Sequence, residues 1–175
     1  MKPCVFFDRD GIMNQHPGPG YVERWEDFHL LPEFVDVLQT VTRLGWPAVI
    51  VSNQRGVAIG RMTAATVDDM HRRARAILRE QHGVDVLDIL YCPHDRNSCD
   101  CRKPKPGLLL EAARRHDLDL PRSWMIGDNA TDAQAGRAAG CRTVIVGDAA
   151  CDDADVRVGS MRELQSRIAE ILSGR

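Results

Sequence analysis

A chain of 175 residues, 43% hydrophobic and 27% charged, has room for one sizeable core but not for a second full domain. Its formal net charge of −2 offers no basic field for nucleic acid, and no apolar run approaches the ~18 residues of a membrane helix. A single domain over 1–175 is expected, monomeric and cytoplasmic, with no signal peptide because the Phe6-Phe7-Asp8 strand end comes within eight residues.

Short apolar, β-branched runs alternate with amphipathic segments. Cys4–Phe7 is predicted as a buried strand, and the stripe Phe34, Val37, Leu38, Val41, Leu44 predicts a helix ending at Gly45. A second strand, Ala48–Val51, precedes a helix capped by Thr63, carried by Val67, Met70, Ala74, Ile77 and Leu78, and closed by Gly83. Val86–Tyr91 is the third predicted strand, followed by a cysteine-rich loop and a helix over Leu108–His116. Trp124–Ile126 and Thr143–Val146 are strands on either side of a helix over Ala133–Ala139. Cys151–Arg157 reads as a surface excursion, and Met161–Leu172 as the last helix. Apolar strands without alternation suit parallel strands covered on both faces. The expected fold is therefore α/β, a doubly wound Rossmann-like domain with a mostly parallel sheet. Neither early strand-to-helix connection is long enough to house a separate cap domain.

In such a sheet ligands bind beyond the carboxyl ends of the strands. Asp8-Arg9-Asp10-Gly11 follows the first strand, and its two carboxylates at i and i+2 can share one small volume. That pair reads either as a Mg²⁺ site, with one nucleophilic and one proton-transferring carboxylate, or as a solvated acidic turn with Arg9 as surface partner. Ser52-Asn53-Gln54-Arg55-Gly56 follows the second strand and offers neutral donors to a phosphoryl oxygen, or simply a polar turn. Asp128-Asn129 follows the fourth strand, with Asp132 one helical turn on; these either complete a cation site or cap a helix. Lys103 lies between the third strand and its helix, ahead of Pro104 and Pro106. Lys2, Lys103 and Lys105 are the only lysines, and a compact ammonium held on a stiff backbone suits phosphate.

Cys92-x-His94 and Cys99-x-Cys101 supply the number and kind of ligands for a closed tetrahedral zinc site, with no position left for water. The alternative is a disulfide from Cys92 to Cys99 or Cys101. Cys4 and Cys141 read as small apolar fillers, and His29, His71, His82 and His116 as surface or cap residues.

The order Asp-x-Asp, Ser, Lys, Asp, each at a predicted strand end, resembles the motif series of the haloacid dehalogenase superfamily along the whole chain. Within it the chain is similar to the heptose-bisphosphate phosphatase and histidinol-phosphatase-like family. Phe7-Asp-Arg-Asp-Gly11, Gly20-Tyr-Val22, Ser52-Asn-Gln54, Cys92-Pro-His94, Cys99-Asp-Cys-Arg-Lys-Pro104 and Gly127-Asp128 carry that likeness.

The resemblance implies a Mg²⁺-dependent phosphomonoesterase in which Asp8 is the nucleophile and Asp10 the general acid and base. Ser52 and Lys103 would bind the transferring phosphoryl group. Asp8, Asp128 and the backbone carbonyl of Asp10 would hold Mg²⁺, while Cys92, His94, Cys99 and Cys101 would hold a structural Zn²⁺ that staples their loop. Asn53, Gln54, Arg55, Arg102, Asn129, Tyr21 and His16 are the expected substrate contacts, with Arg102 at the entrance for a second anionic group. Ile12 and Asn129 depart from the family's usual Thr and Lys. The expected substrate is a heptose bisphosphate. Histidinol phosphate is the alternative, and a catalytically silent zinc-braced binding module the alternative of another class.

Overall fold

The computed structural model describes residues 1–174. Six parallel strands form one sheet: β1 (Val5–Phe7), β2 (Ala48–Asn53), β3 (Asp88–Cys92), β4 (Trp124–Gly127), β5 (Arg142–Val146) and β6 (Val156–Val158). Their order across the sheet is β3-β2-β1-β4-β5-β6, so the chain reverses direction of travel between β1 and β4. Side chains alternate between the two faces. Val5, Phe7, Ile50, Ile126 and Val144 meet the helices α1 (Pro32–Arg43), α2 (Ala64–His82) and α5 (Met161–Ser173). Phe6, Val49, Val51 and Met125 meet α3 (Gly107–His116) and α4 (Ala130–Ala138). Both faces are covered, which explains the unbroken apolar strands.

The helix ends follow their sequence signals. Thr63 Oγ1 accepts the Thr66 N–H at 3.1 Å, and Gly83 closes α2 in the left-handed region at φ 67°. Two expectations need correction. Cys151–Arg157 is not only an excursion: Cys151 is buried and the segment leads into edge strand β6, a Val-Arg-Val triplet too short to show a pattern. Tertiary bonds form it, since Asp155 accepts the Thr143 N–H at 2.7 Å and its hydroxyl at 2.9 Å. β3 begins at Asp88 rather than Val86 and runs on to Cys92, placing the first zinc-ligand candidate on the sheet.

Candidate active site

The carboxyl ends of β1, β2, β3 and β4 open onto a cleft of about 600 Å³. Asp8, Asp10, Ser52, Asn53, Gln54, Lys103, Asp128 and Asp132 form its floor, and His16, Tyr21, Arg102 and Asn129 also line it. Parallel β1 and β4 pair in register, Phe7 beside Ile126, so Asp8 and Asp128 both follow directly at the same end of the sheet, Asp128 one residue further along. Only glycine fits at position 11: its φ is +89°, and a Cβ there would collide with the Asp128 carboxylate.

Lys103 is the hub. Its ammonium donates to Asp8 Oδ1 and to the Val51 carbonyl at 2.7 and 2.8 Å and pairs with Asp132 Oδ1 at 2.7 Å, all within a side chain 2% exposed. Three acceptors match its three protons. Although burial opposes charge, Asp132 and Asp8 hold the Lys103 ammonium well above its ordinary range. Burial and the charge of Asp132 push Asp8 up to about 7, against the pull of Lys103. Burial, with the charge of Asp8, pushes Asp128 up to about 6. Carboxyl oxygens of Asp8, Asp128 and Asp132 lie within 4.8 Å of one another. Crowded, largely desolvated carboxylates of this kind suit a hard divalent cation, which would relieve their repulsion.

Asp10 is held differently. Its Oδ1 accepts from Arg9 Nη2 and Asn14 Nδ2, both at 3.0 Å, and its Oδ2 from Gln54 Nε2 at 3.1 Å. Burial works the other way, but these partners keep its carboxyl below the usual range. Gln54 Nε2 also lies 2.7 Å from Ser52 Oγ, leaving the Ser52 proton available to the cleft.

Two of the expected substrate contacts line the cleft while also bonding to the protein's own backbone, and a third does not line it. Asn53 pairs through both ends of its amide with the Lys103 backbone, Nδ2 to the carbonyl and Oδ1 from the N–H, each at 3.0 Å. Asn129 caps α4, its Oδ1 accepting the Thr131 N–H at 3.1 Å, while Asp132 returns the bond to the Asn129 N–H at 3.1 Å. The helix-cap and site readings of this segment therefore hold together. Arg55 does not line the cleft; its Nε donates to Asp95 Oδ1 at 2.6 Å, tying the β2–α2 turn to the cysteine loop. Arg102 does line it, and its buried Nη1 has no partner among the described residues.

Neither Arg9 nor His71 is a surface residue. Arg9 is fully buried and His71 is 6% exposed, because α2 folds over the Asp8–Asn14 turn. Arg9 and Asn14 were not among the expected site residues, although the i, i+4 spacing of Asp10 and Asn14 was a usable signal; Asp132, expected to support the cation site or cap a helix, also pairs with Lys103.

Cys92, His94, Cys99 and Cys101 converge beside the cleft. Their Sγ and Nδ1 atoms are separated by 3.6 Å (Cys92–His94), 3.5 Å (Cys92–Cys99), 3.3 Å (His94–Cys101) and 3.3 Å (Cys99–Cys101). A zinc tetrahedron with Zn–S near 2.3 Å has edges of about 3.6–3.8 Å, whereas a disulfide needs about 2.05 Å. All six cysteines are free, and these four side chains can bind zinc.

Comparison with known proteins agrees with this geometry. The HAD-hydrolase-like family model matches residues 100–169. The D-glycero-beta-D-manno-heptose-1,7-bisphosphate 7-phosphatase of Pseudomonas putida is 38% identical over 143 residues, 81% of each chain. The protein of that name from Escherichia coli K12 is 35% identical over 152 residues, 82% of this chain and 78% of that one. The crystal structure of a D,D-heptose 1,7-bisphosphate phosphatase from B. bronchiseptica, complexed with magnesium and phosphate, superposes with a TM-score of 0.84 at 30% identity. That match covers 98% of this chain and 99% of the other. Fold and site together define an α/β hydrolase of the haloacid dehalogenase-like class. Within that class, the chain belongs to the D-glycero-D-manno-heptose-1,7-bisphosphate 7-phosphatase family.

Proposed function

We propose that the protein is a Mg²⁺-dependent phosphomonoesterase that removes the 7-phosphate of a heptose 1,7-bisphosphate through an aspartyl-phosphate. The observation that carries this reading is the convergence of Asp8, Lys103 and Asp128 at the cleft floor, with Asp10 and Ser52 beside them. An Asp8 oxygen attacks phosphorus and the ester P–O bond breaks, the leaving oxygen taking a proton from Asp10. Water then attacks phosphorus, gives its proton to Asp10, and phosphate departs as the bond to Asp8 breaks. Lys103 lowers the like-charge barrier between carboxylate and phosphate, and the Ser52 hydroxyl donates to a phosphoryl oxygen. Asp8, Asp128 and the carbonyl of Asp10 would hold Mg²⁺, whose contribution when bound is charge neutralisation and polarisation of the phosphate.

Arg102, at the cleft wall with an unpartnered Nη1, suits a second phosphate on the substrate. Histidinol phosphate, whose imidazole and amine are not anions, gives it no partner. The four-ligand cluster would carry a structural zinc. A set of free, clustered thiols suits a reducing compartment, which favours the cytoplasm. No helix among the described residues is long and apolar enough to cross a membrane. The exposed large apolar side chains Met1, Leu44, Ile59, Leu87 and Leu110 belong to five separate segments of the chain, in keeping with a monomer.

Replacing Asp8 by Asn is expected to abolish Mg²⁺-dependent phosphate release from heptose bisphosphate while leaving the fold intact. Retained turnover rules out Asp8 as nucleophile. Faster turnover of histidinol phosphate than of the bisphosphate would reassign the substrate.

A further inference from the structure

Behind Asp10 lies a buried chain of side chains that the chemistry above does not use. The Arg9 side chain is wholly buried and absent from the cleft wall. Its Nη2 and Nε reach Asp10 Oδ1 at 3.0 and 3.3 Å, and its Nη1 lies 3.3 Å from Nε2 of His71 on α2. The Phe28 ring covers the guanidinium at 5.9 Å. A guanidinium only donates, so His71 Nε2 is the acceptor and its ring proton sits on Nδ1. Burial, reinforced by the Arg9 charge, holds His71 down at about 3, and so keeps the imidazole neutral. Tyr91 meets that ring edge-on at 5.5 Å, and its own hydroxyl donates to Asp68 at 2.9 Å.

The two oxygens of Asp10 are thereby made unequal. Oδ1 accepts from Arg9 and Asn14, whereas Oδ2 accepts from Gln54 alone. Because a guanidinium keeps its charge, the hold on Oδ1 persists through any change at Oδ2. A carboxyl free to rotate would exchange its oxygens and lose alignment with the reacting groups, and misplacement is costly in proton transfer.

We propose that Arg9, oriented by neutral His71, is a positioning residue that locks Oδ1 of Asp10 and leaves Oδ2 as the atom that gives and takes the proton. The inference rests on the phosphatase reading above. As the ester P–O bond breaks, the proton on Oδ2 passes to the leaving oxygen. As water attacks the aspartyl-phosphate, its proton returns to Oδ2 and the group is reset.

The test uses leaving groups. An alkoxide leaving from a sugar needs a proton, whereas nitrophenolate scarcely does, and kcat/KM isolates the steps up to phosphoryl transfer. His71→Leu is expected to lower kcat/KM on heptose bisphosphate about tenfold more than on p-nitrophenyl phosphate. His71→Gln, which keeps an acceptor for Arg9, is expected to bring the ratio back to within about threefold of the unaltered protein. Arg9→Met should move the ratio further the same way, and the His71 pair stands alone if that variant does not fold. Thermal melts establish that the variants are folded. Equal losses on both substrates, no loss, or no rescue by Gln overturns the inference while the phosphatase reading stands. Absence of turnover in the unaltered protein overturns both.

Discussion

Asn53, expected to touch the substrate, lines the cleft, and its amide is matched donor for acceptor with the backbone of Lys103, 50 residues away. A side chain so engaged holds the lysine loop against the end of β2 just as a strand partner would. Its effect on catalysis should therefore pass through Lys103. Asn53→Ser is expected to lower kcat/KM between about tenfold and a hundredfold, the cost of displacing a catalytic group by an ångström or so. In a double-mutant cycle with Lys103→Arg, the two losses should be clearly less than additive. Strict additivity would mean that Asn53 acts independently of the lysine.

At the scale of elements, the loop between β3 and Lys103 is anchored on the core through its cysteines and has little apolar anchorage in its middle. His94, Asp95, Arg96, Asn97 and Ser98 are all exposed. What gives it shape is the cysteine–histidine cluster at one end, the Arg55–Asp95 pair in the middle and the Asn53 bonds at Lys103. The exposed ion pair is worth little, roughly 0–1 kcal/mol. A zinc ion held by the cluster would then be the dominant brace. The purified protein is expected to contain about one zinc per chain. Removing it with a chelator, or replacing Cys99 by Ser, should lower both the melting temperature and kcat/KM, and added Zn²⁺ should restore the chelated protein but not the variant. Full activity in metal-free protein would remove zinc from the account.

At the scale of the whole molecule, stability should respond to acid through His71. Its folded-state value near 3 lies well below the 6.5 of an exposed imidazole, so the unfolded chain takes up the proton first. The stability gained by keeping it neutral is complete above about pH 6.5 and is lost as pH falls toward 3, by about 1.4 kcal/mol per pH unit. Chemical denaturation at pH 7.5 and pH 5 should therefore show a loss about 2 kcal/mol larger for the unaltered protein than for His71→Gln. Equal losses would mean that His71 protonates in the folded state without cost.

Much of the architecture was legible along the chain. Five of the six strands, the five α-helices, and the positions of Asp8, Asp10, Ser52, Lys103 and Asp128 at or beyond strand ends could be read locally, because buried parallel strands demand apolar runs and leave chemistry to the residues that follow. The same holds for the four zinc-ligand candidates, whose residue types and close spacing announce themselves. Tertiary structure alone decided which polar groups face one another. Arg9 to His71 spans 62 residues, Asn53 to Lys103 50, and Arg55 to Asp95 40, and none of these pairs leaves a periodic trace. Edge strand β6 likewise exists through its neighbours. Sequence determined which residues reach the end of the sheet, since burial pattern is local. The register of the sheet and the packing of α2 over the first turn decided what each of them holds, since hydrogen-bond partners are chosen in space.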